Sequence, residues 1–232
     1  MGYAYNLRLD SSLMDVSIAK SLLSIAHNYK DASHTRNVFV AGCGDGTEAS
    51  AIRTLLKANV VGVDSGLLNE YEDKTLKILN RDLMKLDFPN QSFDLVYSYH
   101  VLEHVPDPSV VLKKLSDMLT PGGLLVVGFP NRSRLLGYVG SQNITLKNLV
   151  RWNLTDYGYR IRGKFKNEHG AHAGFTKKEF LSLAGPYFKK VDYVSNHYFL
   201  DKYKHKKALI NFLIKTGLSS FFYPSIYFIC SK

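Results

Sequence analysis

Three observations in the sequence predict an α/β fold. Short, continuously apolar runs alternate with segments of helical spacing through the first 130 residues, the pattern of a parallel sheet covered on both faces. The first run, VFVAG at 38–42, leads into a glycine turn, Gly42-x-Gly44-x-Gly46. The second, NVVGVD at 59–64, closes on a carboxylate, Asp64. At 232 residues the chain has room for a sizeable core and reads as one domain over 1–232.

In chain order, SLMDVSIAKSLLSIAHNY (12–29) carries apolar residues at helical spacing and predicts an N-terminal amphipathic helix. The strand at 38–42 follows, then a helix over Glu48–Leu56 and the second strand at 59–64. LKILNRD (76–82) is a third strand, and FDLVYSY (93–99) a fourth after the turn-like PNQS. SVVLKKLSDML (109–119) is helical and stops at Pro121-Gly122-Gly123, and LLVVGF is a fifth strand ending at Pro130. Residues 131–174 are glycine-punctuated, basic, aromatic and weakly periodic, and read as an insertion. Thr176 with Glu179 fits a capping box for a helix over 177–184. KKVDYVSNHYF (189–199) is the expected sixth strand and PSIYFICS (224–231) the seventh. Between them, KYKHKK precedes an apolar helix-like stretch. It is expected to pack on the sheet with a solvated basic flank, the alternative being peripheral attachment to an anionic membrane.

Hydrophobic residues make up 45% and charged residues 22%, which argues against a disordered chain, a collagen-like repeat or a bare coiled coil. No run reaches the roughly 18 apolar residues of a membrane span, and Met1–Asp10 does not read as a signal peptide. Two distant cysteines, Cys43 and Cys230, make no disulfide framework or Cys-x-x-Cys and suggest a reducing, cytoplasmic setting. The net charge of +10 is uneven: residues 1–110 hold 10 basic and 14 acidic side chains, and 111–232 hold 20 and 6. The basic half suits an anionic small molecule, RNA or an anionic membrane surface, and chooses none of them.

The glycines permit a tight turn and close approach of a ligand to the backbone, and the next helix offers free N–H groups. Asp64, 18 residues past Gly46, is placed to accept from both hydroxyls of a ribose. The G-C-G-D-G spacing departs from the dinucleotide fingerprint G-x-G-x-x-G and favours another adenosine-bearing cofactor. Asp82, closing the third strand, is a candidate acceptor for an adenine amino group, or else a capping or solvated loop acid.

The stretches VFVAGCGDG (38–46), VVGVD (60–64), NRDLMKLDFPNQSFDLVYSYHVLEHVPDP (80–108) and LTPGGLLVVGFPN (119–131) resemble class I S-adenosylmethionine-dependent methyltransferases, a group acting on small molecules, lipids and sometimes protein or RNA. HAGFTKKEFLSLAGPYF and the terminal SIYFICSK resemble that family's usual ending. The resemblance implies a Rossmann-like, mostly parallel seven-stranded sheet of order 3-2-1-4-5-7-6, the last strand antiparallel, with helices on both faces. It implies S-adenosyl-L-methionine as cofactor and S-adenosyl-L-homocysteine as product. Gly42, Cys43 and Gly44 would line the cofactor's amino-acid portion, Asp64 would hold the ribose, and Ser65 and Gly66 would flank the adenosine. Asp82 and Leu83 would meet the adenine, and Ser98 and Tyr99 the methionine portion. One departure stands out: the acid that family members commonly carry two residues before the first glycine is Val40 here.

Methyl transfer to a hydroxyl benefits from a base, and the candidates are His100 at the pocket mouth and His169 and His172 in the insertion. His104 is expected to support the loop from behind. Glu168, His169 and His172 lack convincing further ligands, so no metal is assigned. Arg132, Arg160 and Arg162 are candidate clamps for an anionic acceptor; in an extended chain, Arg160 and Arg162 would share one face. The Asn/Asp-Pro-Pro-aromatic turn of nucleic-acid amino-methyltransferases is absent, YSYHVLEH standing in its place. The leading expectation is methyl transfer to an O or N atom of a small, anionic or lipophilic acceptor. The alternatives are an RNA or protein methyltransferase, and an inactive binding or accessory protein, for which Val40 is the support.

Overall fold

The computed structural model of the chain describes residues 8–29, 35–138 and 145–232, with side chains from Val16 onward in the first of these segments. Its centre is β1 (Asn37–Ala41), flanked by β2 (Asn59–Val63) and β5 (Phe93–Tyr99) in parallel register. The full sheet has eight strands: β3 (Tyr71–Glu72), β4 (Leu76–Leu79), β2, β1, β5, β6 (Leu119–Pro130), β8 (Ser225–Ser231) and β7 (Lys190–Tyr193), in that spatial order. The expected order of seven strands is present. β8 runs antiparallel to both β6 and β7.

Side-chain alternation explains the layers. Val38 and Val40 of β1 join one buried cluster and Phe39 and Ala41 the other. The first cluster takes Ile18, Leu22 and Ala26 from α1 (Arg8–Ala26), Ala49 and Ile52 from α2 (Thr47–Leu56), and Tyr198 and Phe199 from α6 (Ser195–Lys202). The opposite cluster takes Val111, Leu112 and Leu115 from α3 (Pro108–Met118) and Phe180 and Ala184 from α5 (Lys177–Ala184). α3 begins with Pro108 behind the Asp107 carboxylate, which accepts from the N–H groups of Ser109 (2.9 Å) and Val110 (3.2 Å). The Thr176–Glu179 capping box at the start of α5 is present in both directions.

The structure corrects the sequence reading in several places. Edge strand β3, two residues long, went unpredicted. Pro121-Gly122-Gly123 lies within β6, where the register jumps from Phe93↔Leu119 to Leu95↔Leu124 and Gly122 turns at φ +74°. The expected sixth strand is strand only over β7. At Ser195 the ladder gives way to a side-chain bond, Tyr227 N–H donating to Ser195 Oγ at 2.8 Å. Ser195, Tyr198 and Phe199, at helical spacing, are then buried, and the two rings enter the core. The apolar stretch after KYKHKK forms α7 (Lys207–Lys215) and α8 (Ser219–Phe222). Ile210 is buried there, but Leu209 and Phe212 face solvent beside exposed Lys204, Lys206 and Lys207. The 131–174 segment contains a full helix, α4 (Leu146–Ile161), capped by Thr145. Among the described residues no helix is long and apolar enough to cross a membrane. Both cysteines are free and buried.

Candidate functional site

The chain reverses its direction of growth across the sheet at β1, and ligands of open α/β sheets bind beyond the strand ends at such a point. There Gly42, Gly44 and Gly46 all adopt positive φ (+69°, +56° and +86°), a conformation that favours glycine. The loop is fastened to β2, Gly42 N–H and Cys43 N–H both donating to Val63 O at 2.8 and 3.0 Å. A Cβ at Gly44 would meet nothing within 4 Å, so this stretch of backbone is open to a ligand. Cys43 is buried against Gly62, and burial, assisted by Asp64, pushes its thiol up to about 12, so it stays protonated. Val40, at the position of the missing acid, is wholly buried. Asp45 is exposed and turns its Oδ1 back to accept from Thr47 N–H (2.9 Å) at the start of α2.

Asp64 lies just past the tip of β2, partly open. Its Oδ2 accepts from Gly44 N–H (3.0 Å) and its Oδ1 from Gly66 N–H (2.8 Å), so one carboxylate ties the glycine loop to the Ser65–Gly66 turn. Each oxygen retains a further lone pair for a ligand hydroxyl. Asp82 is exposed beyond β4 and caps the 3₁₀ turn Leu83–Lys85, Oδ1 accepting from Met84 N–H (2.9 Å). Capping uses one of its two oxygens. Leu83 beside it is buried, whereas Ser65 is exposed. At the end of β5, Ser98 is 1% exposed and its Oγ has no hydrogen-bond partner, an orphaned polar atom where the methionine portion was expected. Tyr99 stacks on Tyr227 and tilts against His100 at 4.3 Å between centroids.

His100 turns out of β5 with φ +54°, unusual for a residue with a Cβ. Its N–H continues the ladder to Gly128 O (2.9 Å), while Nε2 lies 3.2 Å from Ser225 Oγ and Nδ1 3.6 Å from Glu103 Oε1. Glu103 is missing from the sequence-derived site, yet its side chain is fully buried and neither oxygen has a hydrogen-bond partner. Burial pushes its carboxyl up to about 8. Burial, with His172, His104 and Arg134 nearby, holds the His100 imidazole well below its ordinary value. His104 and His172 are lowered too, each mainly by burial. At neutral pH the group is therefore a set of uncharged imidazoles around a protonated carboxyl, and the short His–Glu distances are not ion pairs.

His104 departs from expectation: its side chain is half exposed and meets His172 of the insertion edge to face, 4.6 Å between centroids. His172 thus reaches the β5–α3 loop, whereas His169 is exposed on the 3₁₀ turn Asn167–His169 with Glu168. The structure gathers His172 with Glu103 and His104, their donor atoms all within 4.8 Å of one another, a set able to hold a metal ion.

The arginines separate by what they touch. Arg132 pairs with Glu179 (2.6 Å) and donates from Nε and Nη2 to Gly174 O. Arg160 donates to Arg132 O and Arg134 O (2.9 and 2.8 Å) and lies 3.9 Å over the Phe165 ring. Arg162 is exposed at the C-terminus of α4; at about 100° per residue, a helix sets residues two apart on different faces, so the extended-chain expectation for Arg160 and Arg162 fails. Arg134, one of the insertion's basic residues and not among the expected clamps, is 4% exposed and joins three segments through Asp156 (3.1 Å), His172 O (2.9 Å) and Asn131 O (3.2 Å). One signal in the sequence marks Glu103: a lone acid within the apolar run V-L-E-H-V. Nothing comparable sets Arg134 apart from its basic neighbours.

A family described as "Methyltransferase domain" matches residues 39–127. An uncharacterized methyltransferase of Mycobacterium bovis is 32% identical over 143 residues, 59% of this chain and 68% of that one. A ubiquinone biosynthesis O-methyltransferase of Pseudomonas putida is 33% identical over 168 residues, 64% of this chain and 68% of that protein. Among solved structures, the plantazolicin methyltransferase BpumL in complex with SAH is similar at a TM-score of 0.60 and 14% identity, covering 96% of this chain and 85% of that one. Phosphoethanolamine N-methyltransferase 2 of Haemonchus contortus, in complex with S-adenosyl-L-methionine, gives 0.56 at 13% identity over 98% of this chain and 58% of that one. At these identities the structural likenesses are likenesses of fold.

Proposed function

The chain belongs to the class I S-adenosylmethionine-dependent methyltransferases, and from that premise we propose that it methylates an O or N atom of a small acceptor, a hydroxyl oxygen being favoured, with His100 as general base. The residues present fit the cofactor: open backbone at Gly44, an orphaned Ser98 hydroxyl and a ribose-ready carboxylate on Asp64. Gly42, Cys43, Gly44, Asp64, Ser65, Asp82, Leu83, Ser98 and Tyr99 would hold it. When bound, S-adenosylmethionine supplies an electrophilic methyl group on a sulfonium.

The observation that carries the oxygen acceptor is the His100–Glu103 arrangement. An amine that is already neutral attacks without a base, whereas a hydroxyl gains from one. Here an uncharged imidazole at the strand tip presents Nε2 beside Ser225, with the buried carboxyl of Glu103 behind Nδ1. Nε2 takes the acceptor's proton, and the protonated Glu103 carboxyl, 3.6 Å from Nδ1, keeps lone pairs that face the imidazolium so formed. Tyr99, tilted against His100, helps to fix the ring.

Labelled methyl transfer into fractionated small-molecule, lipid, RNA and protein pools tests this reading. The label is expected in small molecules or lipids, and His100→Gln is expected to lower kcat by roughly a hundredfold or more while cofactor affinity holds. Label confined to RNA or protein overturns the acceptor class. Absence of cofactor binding by calorimetry overturns the whole reading.

A further inference from the structure

α4 is built inside out. A helix on a globular protein ordinarily turns its apolar stripe inward and its polar face to water. In α4 the buried residues are Asn153 and Asp156. Asn153 exchanges hydrogen bonds with Gly137, accepting at 2.7 Å and donating at 3.2 Å, and Asp156 holds Arg134. Tyr157 Oη donates to Leu135 O at 2.6 Å. The outward stripe is aliphatic: Leu146, Val150, Leu154 and Ile161 are 75, 50, 65 and 87% exposed, at spacings of four, four and seven that align on one face. Lys147, Arg151 and Arg162 flank it, all exposed. Asp156, the helix's one acid, points inward, so the exposed face carries a single sign of charge. Exposed Leu135, whose O accepts from Tyr157, also donates its N–H to Phe221 O, bringing the exposed Phe221 and Phe222 near this helix.

We propose that this face of α4 docks on the surface of an anionic lipid bilayer, its aliphatic stripe entering the headgroup–acyl boundary and its cations meeting lipid phosphates. An apolar stripe bordered by lysine and arginine is what an interfacial helix presents to such a surface. A second copy of the chain is a poorer occupant, since a two-fold contact through α4 brings the cations Lys147, Arg151 and Arg162 of both copies together with no acid on the exposed face to oppose them. RNA is poorer too: single strands stack on aromatic rings, and this stripe is aliphatic. The polar buttress beneath α4 holds it in place, so the helix need not refold to dock. The inference stands on this face alone and does not depend on the identity of the acceptor.

The test is co-sedimentation of the full chain with phosphatidylcholine vesicles, with and without phosphatidylglycerol, alongside Leu146→Ser/Leu154→Ser and Arg151→Glu. These positions are exposed, so the variants are expected to melt with the wild type. Wild type is expected to pellet with anionic vesicles and remain in the supernatant with neutral ones. Arg151→Glu is expected to weaken the partition roughly fivefold or more, and the serine pair to weaken it at least as much. Added salt should reduce binding without abolishing it, because the apolar part is unscreened. Equal partition onto neutral and anionic vesicles, wild-type partition by either variant, or no pelleting at all overturns the proposal. Self-association without lipid binding that the serine pair abolishes overturns it in favour of an interface between copies.

Discussion

Glu103→Gln is the substitution that most directly reads the chemistry of the site. The glutamine keeps the shape of the carboxyl and cannot ionise. In the wild type, burial raises the acid from 4.5 to about 8, so between those values the folded state holds a proton that the unfolded chain has released. The sign follows: Glu103 is harmless to stability below about pH 4.5 and becomes steadily more costly until pH passes 8. At ~1.4 kcal/mol per pH unit, the burden on the wild type is under about 1 kcal/mol at pH 5, about 3 kcal/mol at pH 7 and about 4 kcal/mol at pH 8. Urea denaturation of wild type and variant at these three pH values, with a chelator present to keep Glu103, His104 and His172 free of metal, measures the difference. The variant should gain on the wild type as pH rises, with unchanged m-values. A gap that does not vary with pH, or a wild type more stable than the variant at pH 8, refutes the reasoning, since either means that the carboxyl ionises at its ordinary value or has a charged partner.

Asp64→Asn replaces an acceptor-only carboxylate with a group that sets one NH₂ against a loop N–H donor. Losing charge-assisted bonds worth about 1.5–3 kcal/mol should weaken cofactor binding by roughly 10- to 100-fold in calorimetry, and unchanged affinity would remove Asp64 from the site. Gly174→Ala puts a Cβ 1.7 Å from Pro130 O at φ +71°, and chemical denaturation should show a loss above about 3 kcal/mol or an unfolded chain. Thr176→Ala removes the hydroxyl half of the capping box on α5, leaving the residue 176 N–H on Glu179, and should cost about 1 kcal/mol, seen as a thermal midpoint lower by roughly 2–4 °C.

The cofactor half of the fold is legible because its signals are local. β1 and β2 are runs of β-branched and aromatic residues, both buried faces being visible as continuous hydrophobicity. The glycine turn and Asp64 sit next to those runs, and the apolar spacing of 109–119 gives α3. The misreadings occur where a single tertiary bond decides. The segment from 189 to 199 has strand-like composition throughout, and what ends β7 is the serine hydroxyl that takes over the amide of Tyr227, a partner 32 residues away. Helix α4 was missed for a related reason: its apolar positions have helical spacing, but they face water, and the polar residues that anchor it look like loop composition.

The histidines illustrate the limit at the site itself. Glu168, His169 and His172 are close in sequence, but the turn at Gly170 leaves His169 exposed while His172 crosses to His104 and Glu103. Proximity along the chain does not gather these three, and the acid that joins His172 is Glu103, the lone acid of V-L-E-H-V. The basic half of the chain divides in the same manner. Arg132, Arg134 and Arg160 use their donors on main-chain carbonyls, Glu179 and Asp156, so they hold the insertion to the sheet instead of offering charge to a partner. Lys147, Arg151 and Arg162 look outward with no acid opposing them on α4. The 20 basic against 6 acidic residues of 111–232 therefore overstate what a ligand or surface meets. Arg134 holds the His172 main chain beside the β5–α3 loop, and the outward cations of the same segment are the ones left to meet a partner, so on the proposed reading reaction and docking would draw on different members of one basic stretch.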